Sequence, residues 1–292
     1  MLECEPLETG EGIVPAAQAP STITHPGPQS HTLMPFLGER FLARALREGG
    51  RRRSAPGADG VTWAAYRRQA SFRIPQLARA LREGTWRPGP LRPAPFDTYT
   101  GKQLPCVIPT VEDRIVQRAM RYAVEPILEA RAFFDWVSGY RPRRNRITAL
   151  RHAMAHHAAG YRWIADVDVE RVSFGSNADE VTDWLAAFVH DGTFLDRFRT
   201  AVSGMPWPMA PGSGLAPTLI NLRLVPADRR LADLRIVRFA DNYCAFTADR
   251  AAAEEAFTRI TDALAAIGLA ANTSKSRVRQ DACVEDLFLI AG

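Results

Sequence analysis

Two acidic positions carry the chemistry open to this sequence. Asp168 ends an apolar run in Asp-Val-Asp-Val, and Asp241 lies between two apolar runs in Arg-Phe-Ala-Asp-Asn-Tyr. A carboxylate at a strand end and another at the turn of a neighbouring hairpin can meet at one edge of a sheet. Hard oxygen ligands of this kind suit magnesium, which is commonly held by one or two carboxylates plus substrate phosphates. Such a pair suits two-metal, in-line phosphoryl transfer. Asp-Asn is also ordinary hairpin-turn chemistry, since both residues tolerate left-handed backbone. A strand-end Asp can equally cap a helix. Spacing alone leaves these readings open. Asp166, two residues before Asp168, shares its strand face and is read as the partner of an arginine.

The elements that must position these residues are legible as patterns. Residues 161–169 have strand character, with Trp163, Ala165, Val167 and Val169 alternating toward one buried face. Residues 236–246 read as a β-hairpin with Asp241 and Asn242 at its turn. An amphipathic helix over 250–267 ends at Gly268, and a strand follows. Upstream, 36–52 is helical, with Phe41, Leu42, Ala45 and Leu46 on one face. A loop over 51–60 leads to a helical stretch over 61–83, broken at Gly84. Residues 91–108 read as a hairpin around Thr100 and Gly101, and 111–129 and 146–158 as helices. Residues 178–203 are helical, and a loop over 212–217 leads into a helix to about residue 231. Trp163 is read as core, Trp207 as a loop cap, and His156 and His157 as solvated. Residues 1–35, rich in Pro, Gly, Thr, Ser and Glu, read as a disordered acidic tail.

Composition bounds the class. The chain has 292 residues, 46% hydrophobic and 24% charged, which excludes a collagen, a membrane bundle and a wholly disordered chain. No apolar run reaches the roughly 18 residues of a membrane span. The acidic N-terminus does not resemble a signal peptide. Cys4, Cys106, Cys244 and Cys283 are too scattered for zinc spacing or a disulfide framework, so a reducing, cytoplasmic setting is expected. The net charge of +5 conceals an asymmetry. Residues 1–35 carry four Glu and no Lys or Arg; 36–165 carry 24 Lys and Arg against 10 Asp and Glu; 166–292 carry 13 against 18. A basic half of this kind points to a polyanionic partner. Arg141, Arg143, Arg144 and Arg146 cluster in one segment that could track a phosphate backbone or form a solvated charge run.

The order of segments over 56–292 resembles the reverse transcriptases of group II introns and their bacterial relatives. Pro56-Gly57-Ala58-Asp59-Gly60-Val61-Thr62 looks like the family's opening motif. The run Ile108-Pro109-Thr110-Val111-Glu112-Asp113-Arg114-Ile115-Val116-Gln117 is similar to its fingers motif. Gly139-Tyr140-Arg141-Pro142 looks like the aromatic-Arg-Pro segment. Pro211-Gly212-Ser213-Gly214-Leu215-Ala216-Pro217 resembles the Gly-Ser loop under template and nucleotide. Phe239-Ala240-Asp241-Asn242 resembles the aromatic-Ala-Asp-Asp turn. Gly268-Leu269 with Asn272 and Lys275 looks like the next palm motif, and Leu287-Phe288-Leu289 like the start of the primer-grip strand.

The resemblance implies an α+β, right-hand polymerase fold: fingers over about 36–160, and a palm over about 161–292 whose antiparallel sheet is backed by helices. No thumb or maturase region is expected. It implies an RNA-directed DNA polymerase working on an RNA template, a DNA or RNA primer and deoxynucleoside triphosphates. A thumb would come from a separate thumb-bearing protein or be lost, and no membrane is involved. Asp168, Asp241, Val169 and, more weakly, Asn242 would hold two Mg2+ ions, or Mn2+. Lys275 would act as general acid at the leaving pyrophosphate. Lys102, Ser173, Phe174, Gly212 and Ser213 would meet the nucleotide, and Arg114, Arg141, Arg143 and Arg144 the nucleic acid.

The departures are equally specific. Asn242 replaces the second turn carboxylate and removes a negative charge that would help hold a cation. Phe96 and Leu104 stand where the family carries its triphosphate clamp, with Lys102 and Arg92 as the nearest substitutes. Val172 and Ser173 replace paired Phe residues, Phe174 being a residue away from the ribose-blocking position. Pro211 replaces a Gln. The alternative reading is therefore a catalytically inactive relative that binds RNA or RNA/DNA duplex.

Overall fold

A computed structural model describes residues 30–50, 54–97, 103–280 and 287–288. The chain opens with a 3-10 turn, Met34–Leu37, and helix α1, Glu39–Gly49, whose Leu42, Ala45 and Leu46 are buried as the pattern expects. Ser30–Pro35, at the end of the expected tail, is packed. Leu33 is buried, its N–H donates to Asp191 at 2.7 Å, and the Ser30 carbonyl accepts from His190 N–H at 2.8 Å. The helical stretch over 61–83 divides into α2, Trp63–Arg68, and α3, Ala70–Glu83, at the non-helical Gln69. Thr62 caps α2 through Ala65 N–H.

The expected hairpin is present as two short antiparallel ladders. Strand β1, Arg92–Pro93, pairs with β4, Val107–Ile108, and β2, Phe96–Asp97, with β3, Gln103–Leu104. Its tip at Thr100 and Gly101 lies outside the described residues. Helix α4, Val111–Arg131, starts at a capping box in which Thr110 and Asp113 exchange side-chain and backbone hydrogen bonds. Eleven of its residues are buried, which makes it the spine of the N-terminal half. Helix α5, Arg146–Ala158, follows as read, again from a capping box, at Asn145 and Thr148.

Strand β5, Trp163–Glu170, is central in a five-stranded antiparallel sheet of order β6-β7-β5-β8, with β9 also on β5. It is therefore covered on both faces rather than one. Ala165, Val167 and Val169 join the main core, while Ile164 packs with Ala149 and Ala153 of α5. The stretch over 178–203 forms two helices, α6, Ala178–Ala186, and α7, Gly192–Ser203, the second capped by Asp191. Helix α8, Ala216–Arg230, is more completely buried than α4, with eleven of its 15 residues buried. Strands β6, Ile236–Phe239, and β7, Asn242–Thr247, form the hairpin; α9, Arg250–Ala265, packs across the sheet, and β8, Ala270–Ala271, and β9, Arg277–Gln280, finish it.

Three local readings change. The hairpin turn is Ala240–Asp241, and Asn242 is already in β7, opposite Phe239 and Asp168. His156 is buried and stacked on Phe246 at 5.3 Å, because α5 lies against the sheet. Trp207 is half-buried and stacks on Phe174 at 4.7 Å. Among the described residues no helix is long and apolar enough to cross a membrane, and Cys106 and Cys244 are free thiols.

Candidate active site

Register decides what meets Asp168. The β5–β7 ladder sets Asp168 opposite Asn242 and Asp166 opposite Cys244, so these four side chains share a sheet face. That face is covered by α5 around Ile164 and opens further along, where Asp168 stands half-buried. The turn folds over the same edge: the Asp241 carbonyl accepts from Val169 N–H at 3.1 Å. Burial, and then the Asp168 carboxylate, push the Asp241 carboxyl above its ordinary range. Lys275 brings its Nζ to 3.5 Å from Asp168 Oδ2 and remains half exposed. The Asp168 backbone is clamped as well. Its carbonyl accepts from Asn272 N–H at 2.7 Å, and its N–H donates to Ser276 Oγ at 3.1 Å.

Asn242 is aimed elsewhere. Its Nδ2 donates to Asp166 Oδ1 at 3.1 Å, and its Oδ1 lies 3.3 Å from the buried Cys244 Sγ. Asp166 also pairs with Arg279 at 3.1 Å, the arginine partner expected of it. Val169 is buried on the opposite face, leaving its main chain as its route to the site. Among the described residues no group of three or more His, Cys, Asp or Glu forms a metal-binding cluster. The site is a two-carboxylate one, and its donors fit a hard divalent cation completed by substrate oxygens.

Beneath the turn lies a buried network invisible in the sequence pattern. Arg238 of β6 is fully buried and forms a two-bond ion pair with Asp228 of α8, at 3.0 and 2.6 Å. Its Nη1 donates to Asn221 Oδ1 at 2.9 Å and to the Ala240 carbonyl at 2.7 Å. Tyr243 donates to Asp228 at 2.8 Å, and Asn221 to the Gly139 carbonyl at 2.8 Å. Ala240 is held at φ +57°, left-handed for a residue with a side chain. Gly139 touches it so closely that a Cβ there would lie 2.0 Å from Ala240 N.

The Gly-Ser loop is pinned to the N-terminal half. Gly212, at φ +105°, leaves no room for a Cβ, which would lie 1.7 Å from the Val107 carbonyl oxygen. Val107 N–H donates to the Pro211 carbonyl at 3.0 Å, and Gly214 N–H to the buried Gln117 at 2.7 Å. Ser213 is buried, its Oγ accepting from Leu215 N–H. Ser173 is half-buried, and Phe174 exposed on Trp207, in the loop after β5. Arg223 holds this loop through the Val172 and Phe174 carbonyls. The β2–β3 register sets position 96 opposite position 104, and Lys102 lies outside the described residues.

The expected nucleic-acid arginines divide. Arg141 is buried, bonded to Glu129 and to the Phe134 and Val137 carbonyls. Arg144 pairs with Asp135, and Arg114 braces Ser54 and Ala55 under the ring of Trp63. Arg143 is exposed. The cations beside the Gly-Ser loop are instead Arg114, Arg118 and Arg121, one stripe of α4 at helical spacing. They border a cavity of about 240 Å³ that also touches Gly212 and Gly214. Arg118 and Arg121 continue into one of about 680 Å³ with Tyr140, Pro142 and Pro217.

The model of the family described as reverse transcriptase (RNA-dependent DNA polymerase) matches residues 96–285. The chain belongs to this family. It is a reverse transcriptase domain of the group II type, being 32% identical over 181 residues to the group II intron-encoded protein LtrA of Lactococcus lactis subsp. cremoris. That match covers 56% of this chain and 29% of LtrA. It is also 38% identical over 195 residues to protein YkfC of Escherichia coli (strain K12), covering 60% of this chain and 50% of YkfC. The reverse transcriptase domain thus spans half or less of these relatives. Among solved structures it is similar to a chain of a partial Cas6-RT-Cas1–Cas2 complex, with a TM-score of 0.46 and 17% identity, covering 81% of this chain and 43% of that one.

Proposed function

We propose that this domain is an RNA-directed DNA polymerase whose catalytic carboxylates are Asp168 and Asp241. The observation that carries this is their convergence at one sheet edge, where burial and then Asp168 raise the Asp241 carboxyl and Lys275 stands beside Asp168. A carboxyl raised by burial and by a neighbouring carboxylate marks a site that gains from a divalent cation. Mg2+ or Mn2+ held there would activate a primer 3′-hydroxyl and neutralise charge on the reacting phosphate. The clamped backbone of Asp168 and the braced turn hold both carboxylates fixed, which in-line transfer requires. Lys275, half exposed beside them, is the cation available to give a proton to departing pyrophosphate. In this reading α1–α4 and the small ladders are fingers, and the sheet with α8 and α9 is palm. The α4 arginine stripe and the Gly212–Gly214 loop receive template and nucleotide. Primer extension on an RNA template with Mg2+ or Mn2+ tests it. Asp168→Ala is expected to abolish incorporation, and folded wild-type protein inert with both metals would sink the reading.

One observation favours an inactive relative that binds RNA or RNA/DNA duplex. The Asn242 amide is turned onto Asp166 rather than toward the carboxylate pair. That reading expects salt-dependent affinity for duplex that Asp241→Ala leaves unchanged.

A further inference from the structure

We propose that Tyr140 is an aromatic platform on which an unpaired base stacks as a single nucleic-acid strand enters the arginine-lined cavity beside it. This deepens the polymerase reading and rests on it. Tyr140 is one of the few large apolar side chains left open, 46% exposed. Its backbone sits at φ +61°, a conformation that costs an aromatic residue energy and survives only where its surroundings impose it. Both flanks impose it here. Before it, Ser138 N–H donates to the Arg238 carbonyl, and Gly139 is tied to Asn221 and pressed against Ala240. After it, the Arg141 guanidinium is buried among Glu129 and two main-chain carbonyls. The ring is therefore presented by rigid chain on either side. Among the described residues no other aromatic ring stacks on it.

Its surroundings indicate the ligand. On one side the phenol feels the charge of Asp241. On the other it lines the cavity of about 680 Å³ with Arg118, Arg121 and Arg141, beside the carboxylates of Glu48 and Glu125. Arg118 and Arg121 keep 40% and 33% of their side chains exposed, and their pairing with Glu48 and Glu125 is of the weak surface kind that phosphates can displace. Cations that track a backbone beside a fixed aromatic face are the elements of single-strand binding, in which each base contributes by stacking.

The test measures binding without nucleotides, so that catalysis plays no part. Labelled oligouridylate RNA and an abasic strand of the same length are titrated against the full chain and two variants. Tyr140→Phe keeps the ring. Tyr140→Asn removes it while suiting the left-handed backbone. Oligouridylate is expected to bind Tyr140→Phe within about twofold of wild type and Tyr140→Asn about tenfold or more weakly. The abasic strand should bind all three alike. Equal binding of oligouridylate by Tyr140→Asn and wild type overturns the platform while leaving the polymerase reading standing. So does an equal loss for both strands. Wild-type protein that binds neither strand overturns the polymerase reading, and the platform with it.

Discussion

Asp241 holds its carboxylate in a half-buried turn beside Asp168, and burial and that neighbour both favour its protonated form. A carboxyl raised in the folded state contributes stability at low pH that is lost as pH rises through its folded value. Asp241→Asn is therefore expected to melt at a higher temperature than wild type at neutral pH. The difference should shrink as pH falls toward the ordinary aspartate range, and incorporation should be lost throughout. Thermal melts across that range check it, and equal melting temperatures at neutral pH would contradict it. His156 has the opposite sign. Burial, then His152 and Arg235, lower its imidazole from 6.5 to about 4, so it folds neutral. The unfolded chain takes up the proton first, so stability falls as pH drops from about 6.5 toward about 4. The full loss is roughly 3 kcal/mol. His156→Phe, which keeps the ring on Phe246, should flatten that part of the stability profile in urea titrations.

The β6–β7 hairpin is the element on which the site depends. Its turn is shaped from below by Arg238, Asp228 and Asn221 and from the side by Gly139. Arg238→Met would leave Asp228 buried without its cation, at a cost of about 3–5 kcal/mol, read as a lower urea midpoint. Gly139→Ala acts on position instead. Its Cβ would meet Ala240 N at 2.0 Å, so the turn must move. A displacement of that order is expected to lower incorporation by about 100-fold. Full activity in Gly139→Ala would mean that the turn geometry is not what positions Asp241. The arginine beneath the turn can be read in the sequence as a cation inside an apolar strand. That it is fully enclosed, and by what, cannot.

At the scale of the molecule, the basic residues concentrate in the N-terminal half, and many of them, such as Arg40, Arg47, Arg67, Arg68 and Arg82, are exposed. Arg141 and Arg144 are consumed by internal carboxylates and carbonyls, and Arg114 partly so. The α4 stripe is the part of this basic surface that borders the cavity beside Gly212 and Gly214. Nucleic-acid affinity is expected to fall log-linearly with salt, and replacing Arg118 and Arg121 with Ala should reduce the slope by up to about two. Titrations at several salt concentrations measure this. An unchanged slope would place the phosphates elsewhere.

The sequence by itself determined the order and type of most elements, the strand bearing Asp168 and the hairpin bearing Asp241. Each depends on apolar periodicity or on hydrogen bonds across a few residues, which are local properties. Boundaries slipped where a single residue broke a helix, as at Gln69, or where a turn began one position earlier, at Ala240. Tertiary structure alone decided which charges are spent and which are offered. Arg279 reaches Asp166, Arg238 reaches Asp228 through the core, and Asn242 turns away from the carboxylate it stands opposite. Those outcomes depend on which face of one element meets another. A charged side chain takes the nearest partner its burial requires, and that partner is set by packing between distant segments rather than by its neighbours in the chain.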